Sequence, residues 1–181
     1  MKIRFSTAAL LVCLACTPAW ATIVVSLEPT DSIVPLTAPF TVDIVANIPQ
    51  AEAVAGWGLD FEILDPSIVS NTGAVLIGPS WTTAPSLDGD NLAGLGFPDT
   101  VWGEVVLATV ILMPMQEGST NLLLSDDAQT DGTEGFALFP SGLADVEYTG
   151  GTVTVIPEPT VLTLLGLGGL LIVRRRKRFP A

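Results

Sequence analysis

The distribution of charge along this 181-residue chain limits what it can fold into more than any other feature. All seven basic residues lie near the two ends, and the sequence contains no histidine. Residues 22–156, called the body below, carry eighteen of the nineteen acidic residues and no basic residue, for a net charge of −18. No side-chain salt bridge can form within the body. Its fold must therefore rest on apolar burial and hydrogen bonding, against electrostatic self-repulsion.

The same charge distribution excludes several functions for the body. Without Lys, Arg or His it cannot neutralise phosphate groups, so we predict no nucleic-acid binding. The body has no histidine, which excludes Ser–His–Asp and Cys–His catalytic systems. Both cysteines, Cys13 and Cys16, precede the body, so it can form neither a disulfide nor a zinc site with thiolate ligands. Glycoside hydrolysis by two paired carboxylates is an alternative function. With eighteen acidic residues, however, pairs at a suitable distance arise by chance. The Arg, His and Lys residues that position a substrate are also missing. We predict that the protein is not an enzyme.

The N-terminus has the features of a secretory signal peptide. Lys2 and Arg4 precede a short apolar run, and Ala19 and Ala21 are small residues at the two positions that signal peptidase reads. We expect cleavage after Ala21 and export of the body. A membrane anchor is one alternative, but the apolar run is too short for it. Lipoprotein processing at Cys16 is another, but the sequence lacks the usual leucine three residues before that cysteine.

Three features follow the body in a fixed order. A proline-rich motif precedes an apolar segment, 160–173. Residues 161–173 of this segment would form a helix about 20 Å long, which is shorter than the ~30 Å hydrocarbon core of a lipid bilayer. A basic cluster comes next and favours a cytoplasmic tail tip, with the body outside. The domains expected are thus 1–21, 22–156 and 157–181, and a plain C-terminal anchor is the alternative for the last. The motif is Pro157, Glu158 and Pro159, and the basic cluster is Arg174, Arg175, Arg176, Lys177 and Arg178.

This order of features closely resembles the PEP-CTERM sorting signal of Gram-negative bacteria. The motif, the apolar helix with its Leu-Gly-Leu-Gly pattern and the basic end match it over residues 157–181. The resemblance implies that an exosortase, a membrane-embedded cysteine transpeptidase-like enzyme, recognises the tail and removes it near the motif. It also implies a location in the cell envelope, at the cell surface or in the extracellular matrix of a bacterium that makes exopolysaccharide. Before processing, the C-terminal helix would hold the protein in the membrane.

The periodicity of the body is that of β-strands. Apolar and polar residues alternate in 40–47 and again in 57–63, as in strands with one buried face. Residues 105–112 are apolar on both faces and predict a central strand, and the alternation continues in 120–124 and 150–155. Short runs separated by Gly, Pro and Asp turns, without a long helical pattern, predict an all-β sandwich.

The order of these strands resembles that of cohesin domains. The likeness is carried by WGLDFEILDPSIV at 57–69, by GEVVLATVILMPMQEGSTNLLLS at 103–125 and by TGGTVTV at 149–155. It implies an antiparallel jelly-roll β-sandwich of nine strands, related in fold to cellulose-binding modules. It also implies adhesion or scaffolding, with a dockerin-like or other surface protein as the partner. The chain contains no dockerin repeat of its own.

One acidic loop is a candidate for weak calcium binding. Asp127, Gln129, Asp131 and Gly132 fill positions one, three, five and six of a calcium loop. Position twelve is Leu138 where a glutamate is wanted, so a solvated acidic loop is the alternative. We predict no other cofactor.

Three tryptophans of the body divide into two groups. Trp57 is in phase with Leu59 and Phe61, which predicts a place in the core. Trp81 and Trp102 lie in or beside loops, and if exposed they are candidate carbohydrate contacts, because sugar rings stack on aromatic faces. The alternative function is therefore a carbohydrate-binding module associated with exopolysaccharide, while packing in the core or at its rim is the usual fate of tryptophan.

The uniform negative charge predicts a salt-dependent stability. Added NaCl or a divalent cation should raise the melting temperature of the body, because screening weakens the repulsion that opposes the compact state. Thermal unfolding followed by circular dichroism at low and high salt checks this. A melting temperature that does not change with salt would contradict it.

Overall fold

The computed structural model describes residues 22–86, 89–126, 133–140 and 142–157. These residues form thirteen β-strands and one short 3-10 helix, η1 (Gln50–Glu52), and no helix among them is long and apolar enough to cross a membrane. The strands are β1 (Ile23–Glu28), β2 (Asp31–Pro35), β3 (Phe40–Ile48), β4 (Val54–Gly58), β5 (Asp60–Ile63), β6 (Val69–Ile77), β7 (Thr82–Thr83), β8 (Ala93–Leu95), β9 (Gly103–Pro114), β10 (Gly118–Ser125), β11 (Gly135–Leu138), β12 (Val146–Thr149) and β13 (Gly151–Ile156).

The predicted signal peptide, the tail after Pro157, and Asp127 and Asp131 lie outside the described residues. The predictions for those segments therefore stand as they were made from the sequence. Pro157, the first residue of the proline-rich motif, is described and is exposed directly after β13.

The strands form three sheets arranged around one core. Sheet A has the order β12-β1-β3-β9-β6, sheet B the order β2-β13-β10-β5, and sheet C the order β11-β4-β8-β7. Only Leu59 separates β4 from β5, so sheets B and C are joined along this interrupted strand. Buried side chains from all three sheets belong to a single cluster. The all-β prediction is confirmed.

The first and last strands run parallel to each other and pass together from one sheet to another. β1 pairs with β12 in sheet A, and β2 pairs with β13 in sheet B, both in parallel. Pro29 and Thr30 separate β1 from β2, and Gly150 separates β12 from β13. The antiparallel prediction is therefore wrong for these two pairs, although the other strand pairs of the sheets are antiparallel. Such interruptions contribute to the thirteen strands of the described residues, against the nine expected, since single long strands are divided between sheets.

The alternation read from the sequence sets which side chains enter the core. Val42, Ile44 and Ala46 of β3 are buried, as are Leu122 and Leu124 of β10. β9 lies between β3 and β6 in sheet A, which confirms the predicted central strand. Apolar burial of this kind contributes about 25 cal/mol per Å².

Glycine is required where the last strand changes sheets. A Cβ atom added to Gly151 would lie 2.3 Å from the carbonyl oxygen of Thr30, and one added to Gly150 would lie 2.4 Å from that of Leu122. Backbone cannot yield easily at such a contact, because Thr30 O already accepts the N–H of Thr152 at 2.8 Å. The Gly-Gly pair is thus needed for the close approach of two backbones rather than for a left-handed conformation.

Gly151→Ala should therefore destabilise the body by roughly 1–3 kcal/mol, the usual cost of overpacking. Urea unfolding followed by tryptophan fluorescence measures the change in the free energy of unfolding. Thr149→Ala, at an exposed position two residues earlier, is the matched control and should change it much less. Equal effects of the two substitutions would contradict the packing argument.

Candidate functional site

Large apolar side chains are exposed on and beside sheet C. Their exposed fractions range from 45% to 66%, which is unusual for leucine, phenylalanine and tryptophan in one small region. We call this group the sheet C patch. It consists of Leu95, Phe97, Trp102, Phe139 and Leu143.

Strand register places two of these residues on the outer face of sheet C. Gly56 of β4 is in register with Leu95 of β8 on one side and with Ala137 of β11 on the other, and Ala137 forms a bridge with Leu143. A Cβ atom on Gly56 would lie 2.9 Å from Leu95 Cδ2, so the leucine side chain covers this glycine. The next residue, Trp57, is buried, as expected for neighbours on opposite faces of a strand. The row across the face is therefore made of small residues and exposed leucines.

The other three residues are carried by segments that bond to the residues at the start of β4. Gly96 N–H donates to Ala55 O at 2.9 Å, next to Phe97, and Phe139 N–H donates to Ala53 O at 3.5 Å. Between them, Val54 and Val101 exchange two backbone hydrogen bonds of 2.9 Å each, which fixes Trp102 beside the same residues. The patch is thus assembled around three consecutive residues, 53–55, from segments far apart in the sequence.

Trp102 is exposed, with 56% of its surface accessible, whereas Trp81 is buried and does not meet the condition set for a carbohydrate contact. Trp81 is only 7% exposed and packs edge-on against Trp57, with ring centroids 6.2 Å apart and planes at 81°. Gly96 permits this, since its own Cβ would lie 3.2 Å from the Trp81 ring. Trp57 is in the core, as predicted. A carbohydrate contact therefore remains a prediction for Trp102, and Trp81 is not available as a stacking platform.

Four residues of the patch were not among the functional residues predicted from the sequence, namely Leu95, Phe97, Phe139 and Leu143. A signal was present in the two Phe-Pro dipeptides, 97–98 and 139–140, because each puts an aromatic residue in a turn outside the alternating strand pattern. Leucines at a strand end carry no such signal.

A buried acidic residue directly precedes the residues around which the patch is assembled. Glu52, the last residue of η1, precedes Ala53 and is only 9% exposed. The body has no basic side chain that could pair with it. The patch is apolar in its contact groups and belongs to a body that carries eighteen acidic residues.

A second cluster surrounds Tyr148, beside the acidic loop that was the calcium candidate. Burial raises the pKa of this half-buried phenol, and its hydrogen bond to Asp126 Oδ2, 2.6 Å long, raises it further, as do the charges of Asp126, Glu134 and Asp60. Within the described ranges no group of three or more acidic residues is arranged to hold a metal ion. Calcium binding at Asp127 and Asp131 remains a prediction.

The carboxylates of one surface groove do not form a glycosidase pair. The groove holds about 600 Å³ and is lined by Asp60 and Glu62 together with residues of β6. These two acids lie two residues apart on β5, so they project from the same face of one strand. A glycosidase needs carboxyl groups that flank the scissile bond from opposite sides.

The environment of Tyr148, the sole tyrosine, predicts its titration. The pKa of Tyr148 is raised in the folded state, so folding favours the neutral phenol. The free energy of folding gained in this way is fully present below the ordinary pKa of about 10. It is lost as the pH rises through the pKa of Tyr148 in the folded protein. The absorbance of tyrosinate should therefore be absent from the folded protein at pH values where it develops fully in urea.

Asp126→Asn is the matched test of the cause. It removes the negative charge next to the phenol, so the pKa of Tyr148 should fall toward its ordinary value, although burial still raises it. Ordinary titration of Tyr148 in the folded wild-type protein would contradict the assignment.

Solved structures with a similar fold are cohesin modules. A non-cellulosomal cohesin from the hyperthermophilic archaeon Archaeoglobus fulgidus is 13% identical with a TM-score of 0.52, and the match covers 79% of this chain and 97% of that one. The cohesin module of a family 33 glycoside hydrolase from Clostridium perfringens is 11% identical with a TM-score of 0.58, and the match covers 76% and 97%. No family model matches the sequence, and neither does any curated protein. At these identities the likeness establishes the fold, and the body is a cohesin-like β-sandwich.

Proposed function

We propose that this protein is an exported, non-enzymatic cell-surface or extracellular-matrix protein, and that its cohesin-like body serves adhesion or scaffolding by binding a partner protein through the sheet C patch. The observation that carries the proposal is the patch itself. Exposed Trp and Phe side chains around a flat face of small residues are the composition of protein-binding surfaces, where a few aromatic anchors supply most of the affinity. The similar solved structures are cohesin modules by name, and this supports an adhesion or scaffolding function.

The charge of the body defines the partner further. Every ionised side chain of the body is negative. A partner that presents apolar residues flanked by Lys or Arg would be attracted from a distance and held by complementary potential. A dockerin-like module or another surface protein with that surface is the partner class we propose.

We further propose that an exosortase processes the chain at the PEP-CTERM signal. The last strand ends at Ile156, whose carbonyl accepts the N–H of Leu36 at 3.2 Å, and the exposed Pro157 follows at once. The motif therefore begins where the folded body ends. Cleavage near the motif would release the body without removing any strand, which supports a processed surface protein.

Carbohydrate binding is a second candidate function, because Trp102, Phe97 and Phe139 are all exposed aromatics. Pyranose rings of an exopolysaccharide would stack on such rings. The two candidates use the same surface and differ in the ligand.

The test of the patch is a double variant, Trp102→Ser with Phe139→Ser, compared with wild type. Immobilised full chain should capture a protein from the envelope fraction of its own cells, and the double variant should bind that purified partner at least ~30-fold more weakly, since a single anchor already contributes about 2 kcal/mol or more. Isolated exopolysaccharide is offered in a parallel assay.

Leu64→Ser is the control, because Leu64 is 52% exposed and lies outside the patch. Loss of protein capture in the double variant alone supports the proposed function. Loss of polysaccharide binding alone would favour the second candidate, and equal binding by all three proteins would show that the patch has neither role.

The sorting proposal has a separate test, in which Pro157, Glu158 and Pro159 are all replaced by Ala. The mass of wild-type protein from its native cells should lack residues 1–21 and the basic tail, while the variant should keep its tail and stay in the membrane fraction. A wild-type mass that includes the tail would mean that the segment is a plain anchor.

A further inference from the structure

The polypeptide leaves the folded body at one end of the sandwich. β13 ends there at Ile156, and the preceding residue, Val155, is in register with Gly118 at the start of β10. The turn between β9 and β10 therefore lies at the same end, where Met115 N–H donates to Ile68 O at 2.8 Å. We call this surface the exit end. It consists of the turns 36–39, 64–68 and 115–117 and of Ile156.

The sheet C patch lies far from the exit end. Trp102 directly precedes β9, and Met115 directly follows it. β9 has twelve residues. At about 3.3 Å per residue, the two flanking residues are therefore about 40 Å apart along the strand. The patch and the exit end are at opposite ends of the body.

The exit end carries little of the negative charge of the body. Of the eighteen acidic residues, only Asp65 and Glu117 belong to its three turns. Pro39, Met115 and Ile156 are exposed there. Charges more than about 10 Å away are largely screened by salt. This end can therefore approach a layer of anionic lipid headgroups with few carboxylates in the contact.

A short linker limits the distance between Ile156 and the membrane. In the sorting signal proposed above, the helix 161–173 would be about 20 Å long in a hydrocarbon core ~30 Å thick, which leaves about 10 Å of hydrocarbon above it. The five steps from Ile156 to residue 161 cover at most about 18 Å. Ile156 can then stand no more than about 8 Å above the hydrocarbon, within the layer of lipid headgroups.

We propose that, before processing, the exit end rests on the lipid headgroups and the sheet C patch faces outward, away from the membrane. The linker selects this occupant, because it leaves no room for a protein between the exit end and the lipid. The inference rests on the proposed membrane-bound sorting signal and deepens it. An anchored chain can present the patch to a partner, while its proline-rich motif is held at the membrane surface.

The sequence allows a specific label at each end of the body. Both cysteines lie in the predicted signal peptide, so the exported chain has no other thiol. A bacterial host without an exosortase should export the chain with its tail intact, which mass spectrometry checks. Met115→Cys labels the exit end, and Trp102→Cys is the matched control, since the two residues are 58% and 56% exposed. Leu143→Cys, at a residue that is 57% exposed, is a second reporter in the patch.

The labelled chain is reconstituted into vesicles of phosphatidylethanolamine and phosphatidylglycerol that carry a nitroxide quencher on some headgroups. The fluorophore at position 115 should be quenched at least ~3-fold more than that at position 102 or 143, because about 40 Å separates the two ends of β9. Equal quenching at the three positions, or no quenching at position 115, would overturn the proposal.

A longer linker tests the cause of the contact. Insertion of about 20 Gly and Ser residues between Ile156 and Pro157 adds a flexible coil of roughly 25 Å, so the quenching at position 115 should be lost. Undiminished quenching would show that the linker does not hold the exit end.

Flotation with the vesicles separates this inference from the proposed function. A chain that does not float lacks the membrane anchor, which would refute the sorting proposal and this inference together. A chain that floats without the difference in quenching would refute the orientation alone. Capture of a partner by the patch is measured independently of both.

Discussion

The body carries no basic side chain, so every other stabilising interaction must act without ion pairs. Carboxylates with no cation to pair with accept hydrogen bonds from hydroxyl groups instead, as Asp43 does from Thr109, Asp65 from Ser67 and Asp126 from Tyr148. Stability then comes from the single apolar core shared by the three sheets. Core packing and close backbone contacts, such as that at Gly151, carry the stabilisation that surface ion pairs cannot add here.

Burial of two tryptophans shapes the surface as well as the core. Trp57 and Trp81 pack beneath sheet C, and Gly94 and Gly96 leave room for their rings. Aromatic bulk is thus inside, while the outer face is formed by Gly56, Ala137 and a covering leucine. Such a face is flat, and the exposed aromatics stand at its rim. The geometry suits a partner that lies across the sheet and is anchored at the edge.

The proposed contact follows from where acidic side chains are missing. The sheet C patch is apolar and would attract a basic partner through the surrounding negative field. Side chains rather than backbone groups provide its contacts.

Local sequence was enough to predict the strand alternation, the central place of β9, the core position of Trp57 and the exclusion of salt bridges, because each follows from neighbouring residues or from composition. The cohesin-like order of strands was also recognisable. Contacts between distant segments were needed to show that Trp81 is buried, that the terminal strands pair in parallel, and that Phe97, Trp102 and Phe139 lie around residues 53–55. These depend on register between segments far apart in the chain, and register is set by packing and hydrogen bonding across strands rather than by local sequence.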